Sequence, residues 1–359
     1  MKHFLPLLLA SIFLCSCAHK ASKTETNTAS TEVIKVDFNK ELKREPDFPY
    51  TKSAVHVRKL EDNPYSPIGH VDKVIVNGDN IYILDRSKAK AVFIYGREKD
   101  FLGILNYIGR GPGEFIAPDC FDIDKKTGNI VLMDCNGQKM IVYSPLGEYI
   151  NEFKYDFIAV DFVLDHEGNP ILNTGCFPSK ENDNLLLVKM DMNGQILERF
   201  FQSNALSPTF AAFSPRNSLQ RGDDGIYLLP TFSNQIYALN NNGSQIAYSI
   251  DFGEAWPTEA FFEKSEGMHP LKVREQLLDN GSVGFLNCIQ TKDLLHLDFH
   301  KGKDYSFYYN KNTKQSLLFP KEDEAVSHPV GVLDGQFIFA GYKKDREPWL
   351  LFYDVDVDL

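Results

Sequence analysis

The chain has 359 residues, of which 43% are hydrophobic, 13% aromatic and 24% charged, and its formal net charge is −11. Such a hydrophobic content excludes a disordered chain, and the acidic balance argues against a nucleic-acid binder, which needs cationic surface. The length allows one large β domain or two of ordinary size.

The first predicted element is a targeting segment. Lys2 precedes an apolar run from Phe4 to Leu14, interrupted by Pro6. A membrane-spanning helix needs about 20 apolar residues and a secretory signal only about 7–15, so the run predicts export. It ends Leu14-Cys15-Ser16-Cys17, which resembles the bacterial lipobox, with Cys15 an unusual occupant of the second position. That resemblance implies cleavage of residues 1–16 and a diacylglycerol on the thiol of Cys17. The plainer alternative is an unlipidated cut near Cys17, but no A-x-A-like site is present. Each buried acyl CH₂ contributes about 0.8 kcal/mol, so several chains hold a domain firmly at a membrane. Residues 17–31 are polar and unpatterned and read as a tether. No acidic run follows Cys17. In lipoproteins of the kind it resembles, such a run often marks export to the cell surface. The expectation is therefore an outer-membrane lipoprotein facing the periplasm, with the cell surface as the alternative.

The body of the chain, residues 32–359, repeats. Apolar strands of about 5–7 residues alternate with polar turns. The first apolar strand of each unit aligns at Ile81, Ile130, Ile171, Ile226, Leu295 and Phe337, with spacings of 49, 41, 55, 69 and 42. A period of roughly 40–50 residues with several strands per unit predicts an all-β chain, a six-bladed β-propeller. The sixth unit ends close to residue 359, so its outer strand has to come from elsewhere. Ser53 to Lys59 or Glu32 to Phe38 would close the ring and hide the free edges. Between units four and five, Trp256 to Gly281 predicts one or two short helices, with Pro270 in a first turn and Asn280-Gly281 as a stop. This insertion reads as decoration on the blades or as a lid. Cys120 and Cys135 flank a predicted hairpin. A disulfide there and four small buried thiols are both open readings.

Tyr107 to Phe115, YIGRGPGEF, joins units one and two. Together with Val142 to Ile150 and Phe285 to Phe299, it resembles a family of bacterial six-bladed β-propeller lipoproteins, described as TolB-like or NHL-like. The resemblance covers nearly all of residues 31–359 and implies fold and location more than chemistry.

Candidate sites are few. Arg110 and Glu114 of the glycine-rich segment are candidate binding residues, although the segment lacks the GK[ST] of a phosphate loop and its simplest role is a tight crossing. His296, Asp298 and His300 alternate on one strand face and carry metal-ligating chemistry. Neighbours on one face are about 7 Å apart, too far to grip one ion without a bend. Calcium is held in the tunnel of some six-bladed enzymes, and Asp85, Asp122, Asp124, Asp134 and Asp191 fall at strand ends. Strand-end aspartates also cap turns. No G-x-S-x-G motif occurs. The expected function is a membrane-tethered binding or scaffold module for a glycan, a peptide or a protein partner. The alternative is a tunnel enzyme, a calcium-dependent lactonase or esterase, or a lyase.

Overall fold

In the computed structural model, residues 31–43, 54–59 and 67–353 are described, apart from 99, 178, 204–206, 215–216, 223–224, 241–242, 322–327 and 343–347. The expected signal segment, Cys17 and nearly all of the expected tether lie outside them.

Short β-branched and aromatic runs separated by tight turns form six sheets in the unit Glu32–Leu359. Blade one comprises Lys73–Asn77, Asn80–Asp85, Ala91–Gly96 and Phe101–Leu105. Blade two comprises Cys120–Ile123, Ile130–Asp134, Lys139–Tyr143 and Tyr149–Lys154. Blade three comprises Asp161–Leu164, Pro170–Asn173, Leu187–Met190 and Ile196–Phe200. Blade four comprises Leu219–Arg221, Ile226–Leu228, Gln235–Asn240 and Gly243–Asp251. Blade five comprises Gly284–Gln290, Leu294–Lys301, Lys303–Asn310 and Ser316–Pro320. Blade six comprises Pro329–Leu333, Gln336–Tyr342 and Pro348–Tyr353.

Ala54–Lys59 pairs antiparallel with Pro348–Tyr353 and supplies the missing outer strand of blade six. Of the two segments expected for that role, the other is used as well, at a different place. Glu32–Lys35 lies parallel to Gly243–Asp251 and adds a fifth strand to blade four. The repeat read from the sequence is out of phase by one strand. Ile81, Ile130, Ile171, Ile226, Leu295 and Phe337 fall in the second strand of each blade. The inner strand of blade four, Leu219–Arg221, is only three residues long.

The core is divided among the blade junctions. Between blades one and two, Tyr82, Leu84 and Val92 meet Phe121, Leu132 and Tyr143, all buried. Between blades six and one, Ile338, Ala340 and Phe352 meet Val74, Ile83 and Phe93, so the ring closes on an apolar seam like the others. The four cysteines of the described part are all free. The disulfide reading is overturned: Cys120 stands opposite Met133, and its thiol donates to Asp161 Oδ1 at 3.3 Å.

Consecutive strands alternate in direction. The connections between blades therefore share one face, here the upper, with the turns joining second and third strands. The expected insertion lies on that face as helices Glu259–Ser265 and Pro270–Asp279, between blades four and five. Thr258 caps the first, its Oγ1 accepting from Phe261 N at 3.3 Å, and Pro270 opens the second. A single-turn helix, Pro208–Ala211, lies in the connection from blade three to blade four. No helix among the described residues is long and apolar enough to cross a membrane.

Candidate functional site

The inner strands surround a central channel to which all six blades contribute, from Lys73 and Asp122 to Val163, Arg221, Ile289 and Val330, with room of about 140 Å³. Its charges are matched across blades. Arg221 forms an ion pair with Asp122 at 2.9 Å and donates to the backbone oxygens of Ile123 and Leu164. Asp122 also accepts from Leu164 N at 2.8 Å, and Asp161 from Leu219 N at 2.9 Å. Each carboxylate thus reaches the next blade's inner strand and replaces ladder hydrogen bonds that neighbouring sheets do not make. Burial pushes Asp161 up to about 7 and the Cys120 thiol up to about 12. Burial opposes the charge of Lys73, but Cys120, Asp122 and Asp161 beside it outweigh burial and hold the ammonium above its usual pKa. A thiol so raised is a poor nucleophile at neutral pH. The channel is chemically a set of latches.

The other strand-end aspartates serve turns. Asp85 accepts from the backbone N of Gly69, His70 and Lys88, and Asp134 from Ile116 and Gly137. Asp124 and Asp191 accept backbone N–H bonds within their own turns. His296, Asp298 and His300 share a strand face as their alternation predicted, yet they do not converge. His296 is 2% exposed, packs on Tyr308 and Phe337, and lies 3.4 Å from Asp298. His300 turns instead to Asp304 at 2.8 Å. Among the described residues no group of three or more His, Cys, Asp or Glu is placed to hold a metal ion. Burial lowers His296 to about 4, so its ring is neutral at neutral pH.

The glycine-rich segment is anchored to blade two. Glu114 Oε2 accepts from Gly111 N at 2.8 Å within its own loop. Gly113 N donates to Glu152 at 2.9 Å, and Gly113 O accepts from Tyr143 at 2.8 Å. Lys139 Nζ bonds both Gly111 O, at 3.2 Å, and Glu152, at 3.0 Å. Gly113 has φ +71, and a Cβ there would meet the Tyr149 ring at 2.7 Å, so only glycine fits. Arg110 is exposed to solvent, whereas Glu114 folds back into the crossing.

The largest opening among the described cavities lies on the upper face, beside the helical insertion. One compartment, of about 580 Å³, is walled by Phe201, Phe232, Tyr237, Trp256 and Phe262, with Gln202, Asn234 and Gln235 among them. An adjoining one of about 230 Å³ shares Phe232 and Trp256 and adds Phe213 and Phe285. Five of the rings, Phe210, Phe213, Phe232, Phe262 and Phe285, form one contact chain, while Phe201 packs on Tyr237 at 4.8 Å. Phe232 contacts Phe210, Phe213 and Phe262 at centroid distances of 5.3, 5.1 and 5.4 Å, and Phe213 reaches Phe285 at 6.1 Å. Trp256 stacks on Phe252 at 5.6 Å. Thr209 Oγ1 accepts from Gly267 N at 3.1 Å and donates to Met268 O at 3.2 Å, tying the one-turn helix to the insertion. Phe201, Phe232 and Phe285 take φ of 70, 52 and 56, the left-handed region that bulky residues rarely enter. Such strain persists only where the surroundings enforce it. The sequence located the insertion but not this cleft, whose walls come from separate connections.

Fold and site together define a six-bladed propeller with a latched channel and an aromatic cleft at one side of its upper face. The chain belongs to the DUF4934 family, a domain of unknown function, whose profile matches residues 33–354. It is similar in structure to an exported protein of Bacteroides fragilis NCTC 9343, with 16% identity, 90% of this chain and 99% of that one covered, and a TM-score of 0.72. It is also similar to a member of the DUF4221 family from Bacteroides vulgatus ATCC 8482, at 7% identity, 84% and 96% coverage and a TM-score of 0.54. A virginiamycin B lyase of Staphylococcus aureus with quinupristin has 14% identity, 82% and 83% coverage and a TM-score of 0.49. A search of the curated proteins found no match.

Proposed function

We propose that the protein is an extracytoplasmic binding module, held at the outer membrane by lipid on Cys17, that takes a glycan, peptide or protein partner into its aromatic cleft. The observation that carries this reading is the cleft itself, about 580 Å³ and lined by aromatic rings and side-chain amides. That size is typical of a ligand site, and rings with a few polar groups are its usual lining. A tunnel enzyme would need acidic or amide groups converging on one point. The channel carboxylates Asp122 and Asp161 are bonded to backbone N–H groups of neighbouring blades. The export signal and the exported relative in Bacteroides fragilis support the location.

Glycan and peptide arrays probed with the purified protein test the reading, with Phe232→Ala and Trp256→Ala variants alongside. Binding lost in both variants, with thermal unfolding little changed, is the expected result. A hit untouched by either substitution would move the site elsewhere. Metabolic labelling with a radioactive fatty acid tests the anchor, since Cys17→Ala is expected to abolish incorporation.

A further inference from the structure

The cleft carries charge of one sign. Glu259, Glu263 and Glu266, from the first helix of the insertion and its end, line it, and no described Lys, Arg or His does. All three are exposed, and none forms an ion pair with a described residue. The nearest charged contact on the cluster is Arg274, which lies over the Phe285 ring at 5.7 Å, in the adjoining compartment's wall. Phe232, Trp256 and Phe262 line the same space, and an aromatic ring carries negative quadrupole on its faces. Carboxylates and aromatic faces therefore act together on anything that enters, favouring a cation and repelling an anion. The remaining wall is of a different kind. Gln202, Asn234 and Gln235 bring side-chain amides, of which Asn234 Nδ2 already donates one bond to Ile250 O at 2.9 Å and Gln235 Oε1 accepts one from the Tyr237 hydroxyl at 2.7 Å, leaving each a further hydrogen-bonding site.

We propose that the ligand is a basic peptide segment: an apolar side chain against the rings, a lysine or arginine toward Glu259, Glu263 and Glu266, and backbone amides on the Gln and Asn side chains. The proposal rests on the cleft being the ligand site. A neutral glycan would use the rings and amides but leave three carboxylates without a partner, and an acidic peptide would meet them directly.

The test compares acetyl-Phe-Lys-amide, acetyl-Phe-norleucine-amide and acetyl-Phe-Glu-amide on the full chain. Trp256 is one of only two tryptophans, so its fluorescence in a Trp349→Phe background reports occupancy. The lysine peptide is expected to bind roughly tenfold tighter than its norleucine match at low salt and to lose that advantage at high salt. The triple variant Glu259→Gln, Glu263→Gln, Glu266→Gln should bring the lysine peptide's affinity down to that of its norleucine match. Equal binding of the lysine and norleucine peptides, or a preference that survives the triple variant, overturns the cationic ligand but leaves the cleft standing. A glycan hit that depends on Phe232 and is indifferent to the triple variant does the same. No change in Trp256 fluorescence with any peptide also overturns it, and the array hits with Phe232→Ala then decide separately whether the cleft is the site.

Discussion

His296 illustrates what a buried side chain costs and where. Its imidazole sits between Tyr308 and Phe337, and burial lowers its pKa from 6.5 to about 4. In the unfolded chain the ring takes up a proton near 6.5, whereas the folded state refuses it until about 4. The stability it contributes is therefore complete above pH 6.5 and is lost as pH falls toward 4, by roughly 3 kcal/mol. Denaturant titrations at pH 7 and pH 4.5 should show a smaller acid loss for His296→Phe, which keeps the packing and removes the titration. Gly113 is a second sensitive position. Gly113→Ala forces a side chain into φ +71 and against Tyr149, and is expected to lower stability by about 1–3 kcal/mol in thermal or chemical unfolding. The alternation in LLHLDFH made the shared face of His296, Asp298 and His300 legible. It could not say that the face packs against blade six, because period two is the same for a buried face and an exposed one. The left-handed Phe201, Phe232 and Phe285 were not legible at all, since backbone strain leaves no mark on periodicity.

At the scale of elements, the added strand Glu32–Lys35 and the turn Phe38–Lys40 form a strap from blade four to blade five. Ile34 is 1% exposed and packs into the junction of the two blades. Phe38 lies edge-on to Phe299 and Tyr305, and Glu41 pairs with Lys303 at 2.7 Å. Ile34→Ala should cost about 2–4 kcal/mol in unfolding free energy, the range for emptying a buried aliphatic site. Glu41→Gln, at an exposed pair, should cost less than about 1 kcal/mol. The helical insertion was legible because a spacing of 69 among intervals of 41 to 55 demands extra chain, and Pro270 and Asn280-Gly281 mark its ends. Its part in a cleft was not. The walls at Phe201, Phe232 and Phe262 come from three connections, and only the fold brings those together.

For the whole molecule, closure is the decisive property. Six apolar junctions share the core, and the last depends on chain from both ends, with Ala54–Lys59 beside Pro348–Tyr353. A chain beginning at residue 61 loses an outer strand from blade six and the added strand from blade four. It is expected to aggregate or to lose its single cooperative transition in calorimetry, whereas removal of residues 1–30 should leave that transition in place. The strap also gives the disk a front and a back. Glu32 bonds Tyr309 and meets Lys314 at 2.7 Å, in the turn between the third and fourth strands of blade five, on the lower face. From there the chain climbs to Phe38 and Glu41, level with Lys301 and Lys303. Glu32 thus lies toward the lower face, and the cleft opens on the upper one. One strap, crossing from one face to the other, therefore ties blades four and five together along the depth of the ring.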